Sequence, residues 1–179
     1  MSDETTGMER QLIELFTLAG EYCLMVENAE QHSKEELLEF FGKISPILYV
    51  RGLLFPAVEE PEEEGDERYV TEEQWENAFN SLRNKFALDD PFRYTDPCQP
   101  ESDEVIYGSL AELIADVYQD MKDFSWLMTK SLQVARDYAA FNIKQWFLSN
   151  WGHKLLLAQL VIHSRFLNPD KDSSFPDLD

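Results

Sequence analysis

Apolar residues recur at three- and four-residue steps along almost the whole chain, and this spacing restricts the fold to packed helices. Leu12, Leu15, Phe16, Ala19, Tyr22, Cys23 and Val26 mark one face of a helix over about residues 7–30. Thr6-x-x-Glu9 has the form of a capping box at its start. Ser33-x-x-Glu36 opens a second helix carrying Leu37, Phe40, Phe41, Ile44, Ile47 and Leu48, with a kink or break expected at Pro46. Thr71-x-x-Gln74 opens a third, with Trp75, Ala78, Phe79, Leu82 and Phe86 on one side. Ser109-x-x-Glu112 opens a fourth, with Leu110, Leu113, Val117, Met121, Phe124 and Met128 as its stripe.

The last pattern runs from Leu132 to about Phe166. Its second half, Leu155 to Ile162, is apolar nearly all round, the mark of a buried central helix. One helix of ~35 residues would be ~50 Å long, so a kink or break is expected at Asn150-Trp151-Gly152. No strand-length alternating run competes with this reading. The expected fold is all-α: an irregular bundle of five to six helices around a long C-terminal helix. Residues 1–179 read as one domain, with frayed ends at about 1–6 and 170–179 and an acidic loop at 57–70. Residues 88–104, with three prolines and six acids, read as a second long loop.

Charge narrows the function. The 179 residues hold 35 acids and 15 Lys+Arg, net −20. A nucleic-acid binder needs a basic footprint, so that class is disfavoured, as is an anionic membrane surface. The apolar run at 155–162 is too short for a membrane span, and the polar, acidic Met1-Ser2-Asp3-Glu4 start is unlike a signal peptide. A cytoplasmic protein is expected. Cys23 lies in an apolar stripe and Cys98 in a Pro-rich stretch, a pair that makes neither a disulfide framework nor a zinc site. The acids are unevenly spread. Residues 1–121 hold 29 acids and 8 bases, and residues 122–165 hold 2 acids and 6 bases. Lys122, Lys130, Arg136, Lys144, Lys154 and Arg165 are expected to pair with the protein's own acids.

Few constellations carry chemistry. Glu112, Asp116, Asp120 and Asp123 step by four, four and three along the fourth helix, as a divalent-metal site between helices would require. The helical wheel turns Asp116 and Asp123 more than ~100° from the apolar stripe, so a solvated face is expected and no metal, with Asp120, at the stripe's edge, partly buried and bonded. His32, His153 and His163 lack the Glu-x-x-His spacing of di-iron bundles, and His163 reads as a core histidine. Glu36-x-x-Glu39 and Glu112-x-x-x-Asp116 resemble fragments of the MazG-type nucleotide pyrophosphohydrolase motif, with Leu113 where an acid is needed. Tyr138, Asn142, Gln145, Ser149 and His153 form a polar stripe on the last helix. There is no Gly-rich phosphate loop or nucleophile elbow, so no catalytic residue and no cofactor is assigned.

Three segments carry a resemblance. Ala115-Asp-Val-Tyr-Gln-Asp-Met-Lys-Asp-Phe124, Trp151-Gly-His-Lys-Leu155, and the stretch from Pro46-Ile-Leu-Tyr49 to Leu54-Phe-Pro56 resemble an uncharacterised bacterial family, domain of unknown function 5063, common in Bacteroidetes. The likeness spans about residues 8–166, with Asn150 departing from an expected aromatic. It implies a small cytosolic α-helical protein and brings no activity with it. The candidate ligand- or partner-binding positions are Tyr118, Asp120, Asp123, Trp151, His153 and Lys154. The leading expectation is a non-enzymatic protein-binding or adaptor module whose acidic loops meet a basic partner. The alternative is a metal-dependent hydrolase using the fourth helix's carboxylates.

Overall fold

The computed structural model describes residues 2–62, 68–96, 101 and 103–167, side chains from residue 7 onward. The chain is predominantly α-helical, as expected: α1 (Ser2–Glu27), α2 (Lys34–Leu54), α3 (Glu72–Phe86), α4 (Leu110–Met128), α5 (Gln133–Trp146) and α6 (Gly152–Ile162). The boxes at Ser33 and Thr71 close reciprocally and start α2 and α3. α1 already begins at Ser2, so the Thr6 pattern lies inside it. α2 runs unbroken through Pro46, which is exposed on its outer side.

Two expectations need correction. Residues 91–94 are not loop: Pro91–Tyr94 (β1) pairs antiparallel with Ile106–Ser109 (β2), with Phe92 opposite Gly108. Four residues per strand are too few for a periodicity signal against a Pro-rich background. Gly108 is required there, because a Cβ would run into the Phe92 ring. The second correction concerns the centre of the bundle. α1, α2, α6 and α4 each pack on the next, like the sides of a square, and α3 and α5 pack on α4. The hub is therefore α4, and eleven of its nineteen residues are buried. The C-terminal run is half outside: Leu156 and Leu160 are 50% and 60% exposed, and His163 is exposed rather than core.

The irregularity expected at 150–152 is present, but as a change of helix type rather than a break. The last helix widens into a π turn, Phe147–Trp151, and continues as α6. Such a bulge shifts the phase of the helix, and functional or tightly packed positions are its usual setting. Here it brings Phe147 and Trp151 together, ring centroids 4.7 Å apart. Both rings lie over Gly52 of α2, leaving no room for a Cβ. Trp151 is fully buried, and its indole N–H donates to the Ile143 carbonyl at 3.1 Å. α2 and α6 run antiparallel, since Gly52 meets Trp151 while Gly42 meets Ile162. Among the described residues no helix is long and apolar enough to cross a membrane.

Two substitutions test this packing by urea unfolding. Trp151→Ala should lower stability by about 3–5 kcal/mol, the range for truncating a buried large aromatic. Gly52→Ala should lower it by about 1–3 kcal/mol, because one methyl forces two buried rings to move. An unchanged midpoint for Trp151→Ala would take the indole out of the core.

Candidate functional site

The polar residues singled out in the sequence gather on α4, where burial makes every charge dependent on a partner. Asp123 is fully buried, against the expectation of a solvated face, while Asp120, expected to be partly buried and bonded, is 2% exposed. The reason is position. α1, α3, α5 and α6 surround α4, so the helix that looks amphipathic in sequence has no free side.

The chain before α3 supplies the partners. Arg68 donates to Asp120 Oδ1 at 3.1 Å and to Asp123 Oδ2 at 2.8 Å. The other oxygen of Asp123 accepts the backbone N–H groups of Tyr69 and Val70, at 2.9 and 2.8 Å. Asn150, from the π turn, donates to Asp120 Oδ2 at 2.6 Å. One helical turn earlier, Asp116 accepts from the Trp75 indole at 2.9 Å and from the ammonium of Lys154 on α6. The Arg68 guanidinium also lies 4.0 Å over the Trp146 ring, and Tyr69 stacks on Trp126 with centroids 5.3 Å apart. Burial raises the Asp120 pKa above the usual carboxylate value, although Asn150 and Arg68 pull it down.

The neighbouring side of α4 carries a second group. The Tyr118 hydroxyl donates to Glu27 of α1 at 3.1 Å, and Lys122 pairs with the same carboxylate at 2.5 Å. Burial, then the Glu27 charge, pushes the Tyr118 pKa well up. Glu27 and Tyr118 line a cavity of about 230 Å³ with Gln74, Asn77 and Ser81 and the apolar Val26 and Ala78.

Of the six candidate positions, the structure joins Asp120 and Asp123 through Arg68 and connects Lys154 to the same helix through Asp116. Tyr118 faces Glu27 instead, Trp151 is interior, and His153 is exposed with no place in the cluster. The polar stripe on the last helix divides: Tyr138 and Asn142 are buried, while Gln145, Ser149 and His153 are exposed. Glu36 belongs to a cap, Glu39 pairs with Lys43 and Glu112 is exposed, so the fragments resembling a pyrophosphohydrolase motif do not converge. Among the described residues no group of three His, Cys, Asp or Glu side chains is arranged to hold a metal ion. Around Asp120 and Asp123 the cationic place is filled by Arg68.

The bases of the C-terminal half are held as expected in two cases, Lys122 by Glu27 and Lys154 by Asp116. The rest find other partners: Lys130 sits 3.5 Å over the Trp126 ring, while Arg136, Lys144 and Arg165 donate to backbone carbonyls. Cys23 is a buried free thiol whose pKa burial pushes up, which makes it unreactive; Cys98 lies outside the described residues.

Sequence reasoning missed Arg68, Trp75, Asn150 and Asp90. Arg68 carried a signal, as the lone base between seven acids and a capping box. Asp90 carried none. It accepts from Ser109 Oγ at 3.0 Å and from the Ala111 N–H at 2.7 Å, completing the α4 cap from a distance of nineteen residues.

The family model for DUF5063, a domain of unknown function, matches residues 6–167. The chain belongs to the DUF5063 family. Its fold is also similar to the crystal structure of protein BF1032 from Bacteroides fragilis, with a TM-score of 0.78 and 29% sequence identity. That match covers 89% of this chain and 94% of the other. No curated protein matches the chain.

The cluster makes a graded prediction. Asp123→Ala leaves two backbone N–H groups and Arg68 without their acceptor, and should lower stability by about 2–4 kcal/mol. Asp120→Asn keeps an acceptor and removes a carboxylate whose pKa is raised by burial, so the loss should stay below about 1 kcal/mol. A carboxyl with a higher pKa in the folded than in the unfolded chain takes its proton first in the folded state. Asp120 therefore contributes increasing stability as pH falls from its raised folded value through the ordinary carboxylate range. That contribution is lost as pH rises through the folded value, and Asp120→Asn should remove it. Equal losses for both variants in urea unfolding at neutral pH would contradict the assigned hierarchy.

Proposed function

We propose that this DUF5063 protein is a cytoplasmic, non-enzymatic binding module for a protein partner with a basic surface. The observation that carries the proposal is how Arg68 is used. It is the sole base between residues 52 and 82, and it turns inward to Asp120 and Asp123. Around it Glu59, Glu60, Glu62, Glu72, Glu73 and Glu76 are all exposed. The interior acids of α4 are thus answered from within the chain, while the outer acids have no neighbouring base in sequence. A concentration of one sign of charge on a rigid helix and its leading strap draws an oppositely charged partner and accelerates encounter.

Affinity capture from a native cell extract tests this, with the full chain immobilised beside a Glu59→Gln, Glu60→Gln, Glu62→Gln variant. Basic proteins should be retained at low salt, released as salt rises, and retained several-fold less by the variant. Retention indifferent to salt and to the substitutions would overturn the reading. So would turnover of nucleoside triphosphates by the purified chain with magnesium, abolished by Asp120→Asn.

A further inference from the structure

The end of α1 meets α3 and α4 at the cavity that Glu27 and Tyr118 line. Its volume is about 230 Å³, below the ~300–1,000 Å³ of sites that enclose a whole small molecule. It suits a group the size of one side chain. Val26 and Ala78 form an apolar wall, and Glu27, Asn77, Ser81 and Tyr118 bring polar atoms beside it.

What those atoms can still bind is set by the bonds they already make. The Tyr118 hydroxyl donates to Glu27 Oε1 at 3.1 Å, and the Lys122 ammonium reaches the same oxygen. The tyrosine proton is committed, so its oxygen offers lone pairs, and Glu27 Oε2 has no hydrogen-bond partner among the described residues. Ser81 directs its hydroxyl proton to Glu30 at 3.4 Å, which leaves its lone pairs as well. The Asn77 side chain makes no hydrogen bond among the described residues. Gln74 has its carbonyl committed to the Thr71 cap. The uncommitted atoms are therefore mostly acceptors.

Charge selects the sign of the ligand. Glu27, Glu30 and, one turn before Asn77, Glu73 are exposed acids. Lys122 answers Glu27, and Lys85 donates to the Glu30 and His32 carbonyls. Three carboxylates against two ammonium groups leave a negative balance, which disfavours an anion. The form of the acceptors then separates the two cationic side chains. A guanidinium pairs best with both oxygens of one carboxylate, and Glu27 Oε1 is already taken twice. An ammonium is a compact donor of three hydrogen bonds and needs single acceptors from several directions. Glu27 Oε2, Tyr118 Oη, Ser81 Oγ and the Asn77 carbonyl are such acceptors, and Val26 and Ala78 suit a methylene stem.

We propose that this cavity binds a primary ammonium on an alkyl stem, the end of a lysine side chain, with Glu27 as its counter-ion. For the source of that lysine the site rests on the reading above: it belongs to the basic partner, drawn in by the exposed acids of α3 and its leading strap.

Amide NMR titration of the full chain tests the site. The probes are blocked pentapeptides with one lysine, arginine or norleucine between glycines. The lysine peptide should saturate shifts at Ala78 and Ser81 several-fold more tightly than the arginine peptide, and the norleucine peptide should leave them unmoved. Glu27→Gln should weaken binding by about tenfold or more, as loss of a charged hydrogen-bond partner does, and Asn77→Ala by about fivefold. Asn77 is exposed on a helix, so Asn77→Ala should melt no lower than the wild type and guards against a folding defect in Glu27→Gln. Absence of saturation, equal binding of the arginine or norleucine peptide, or indifference to Asn77→Ala overturns the proposal. So does tighter binding of n-butylammonium chloride than of the lysine peptide, which makes the site one for a free amine. Capture of basic proteins separates this site from the reading it rests on. Salt-sensitive retention that falls with the Glu59, Glu60 and Glu62 substitutions but not with Glu27→Gln or Asn77→Ala overturns the lysine assignment alone. Saturable binding of the lysine peptide with no basic protein retained overturns the acidic-surface reading and leaves the cavity assignment standing.

Discussion

The contact between Asp123 and the strap at residues 68–70 fixes more of this structure than any other polar interaction. A fully buried carboxylate must be answered or neutralised. Asp123 is answered three times, by one guanidinium and two backbone amides. Those amides belong to the residues that lead directly into the Thr71 cap of α3. One side chain therefore sets where the chain returns to the bundle and where α3 begins. Trp75, one turn into α3, then reaches Asp116, so α3 is aligned along α4 at two points. Arg68 also carries the constraint to the far side, through Asp120 to Asn150 and through its stacking on Trp146.

Asn150 sits inside the π turn, and that turn is why the C-terminal run both bends its phase and stays continuous. An ordinary α-helix from 133 to 162 would advance each side chain by a fixed angle. The added residue of a π turn lets Asn150 meet Asp120 while Trp151 turns to Gly52. The polar cluster and the aromatic packing against α2 are thus consequences of one backbone irregularity. Gly52 completes the arrangement, because only a residue without a Cβ leaves room for the two rings.

The elements were legible in the sequence wherever local chemistry decides them. The Ser33 and Thr71 boxes and the apolar stripes of α2, α3 and α4 rest on contacts within one or two turns, and spacing displays these directly. What spacing does not display is which helix is surrounded. Leu155–Ile162 looks central because it is apolar all round, yet Leu156 and Leu160 face outward. α4 looks amphipathic, yet its polar face is interior, because Asp116, Asp120 and Asp123 find partners 30 to 55 residues away. A helical wheel ranks side chains by hydrophobicity and so reads a partnered carboxylate as a solvated one. The two short strands escaped for a different reason: each is four residues long, too short to display an alternation.

The same partnering accounts for how charge is distributed in a protein so acidic. Around α4 bases answer most of the acids, Glu27 by Lys122, Asp116 by Lys154, and Asp120 and Asp123 through Arg68, whereas buried Asp90 is answered by the Ser109 hydroxyl and the Ala111 N–H. The bases near α4 are therefore committed to the interior, which leaves the surplus negative charge on α1, α3 and the connecting segments. The segments 40–58 and 138–167 differ because they hold no acids, and Lys43, Arg51 and Lys144 are satisfied by Glu39 of α2, Glu14 of α1 and the Gly52 carbonyl. A more acidic half and a more neutral half thus follow from where the sequence places its acids, since 40–58 and 138–167 contain none. The two halves offer different surfaces to the surroundings: only the first draws opposite charge, and salt weakens that attraction.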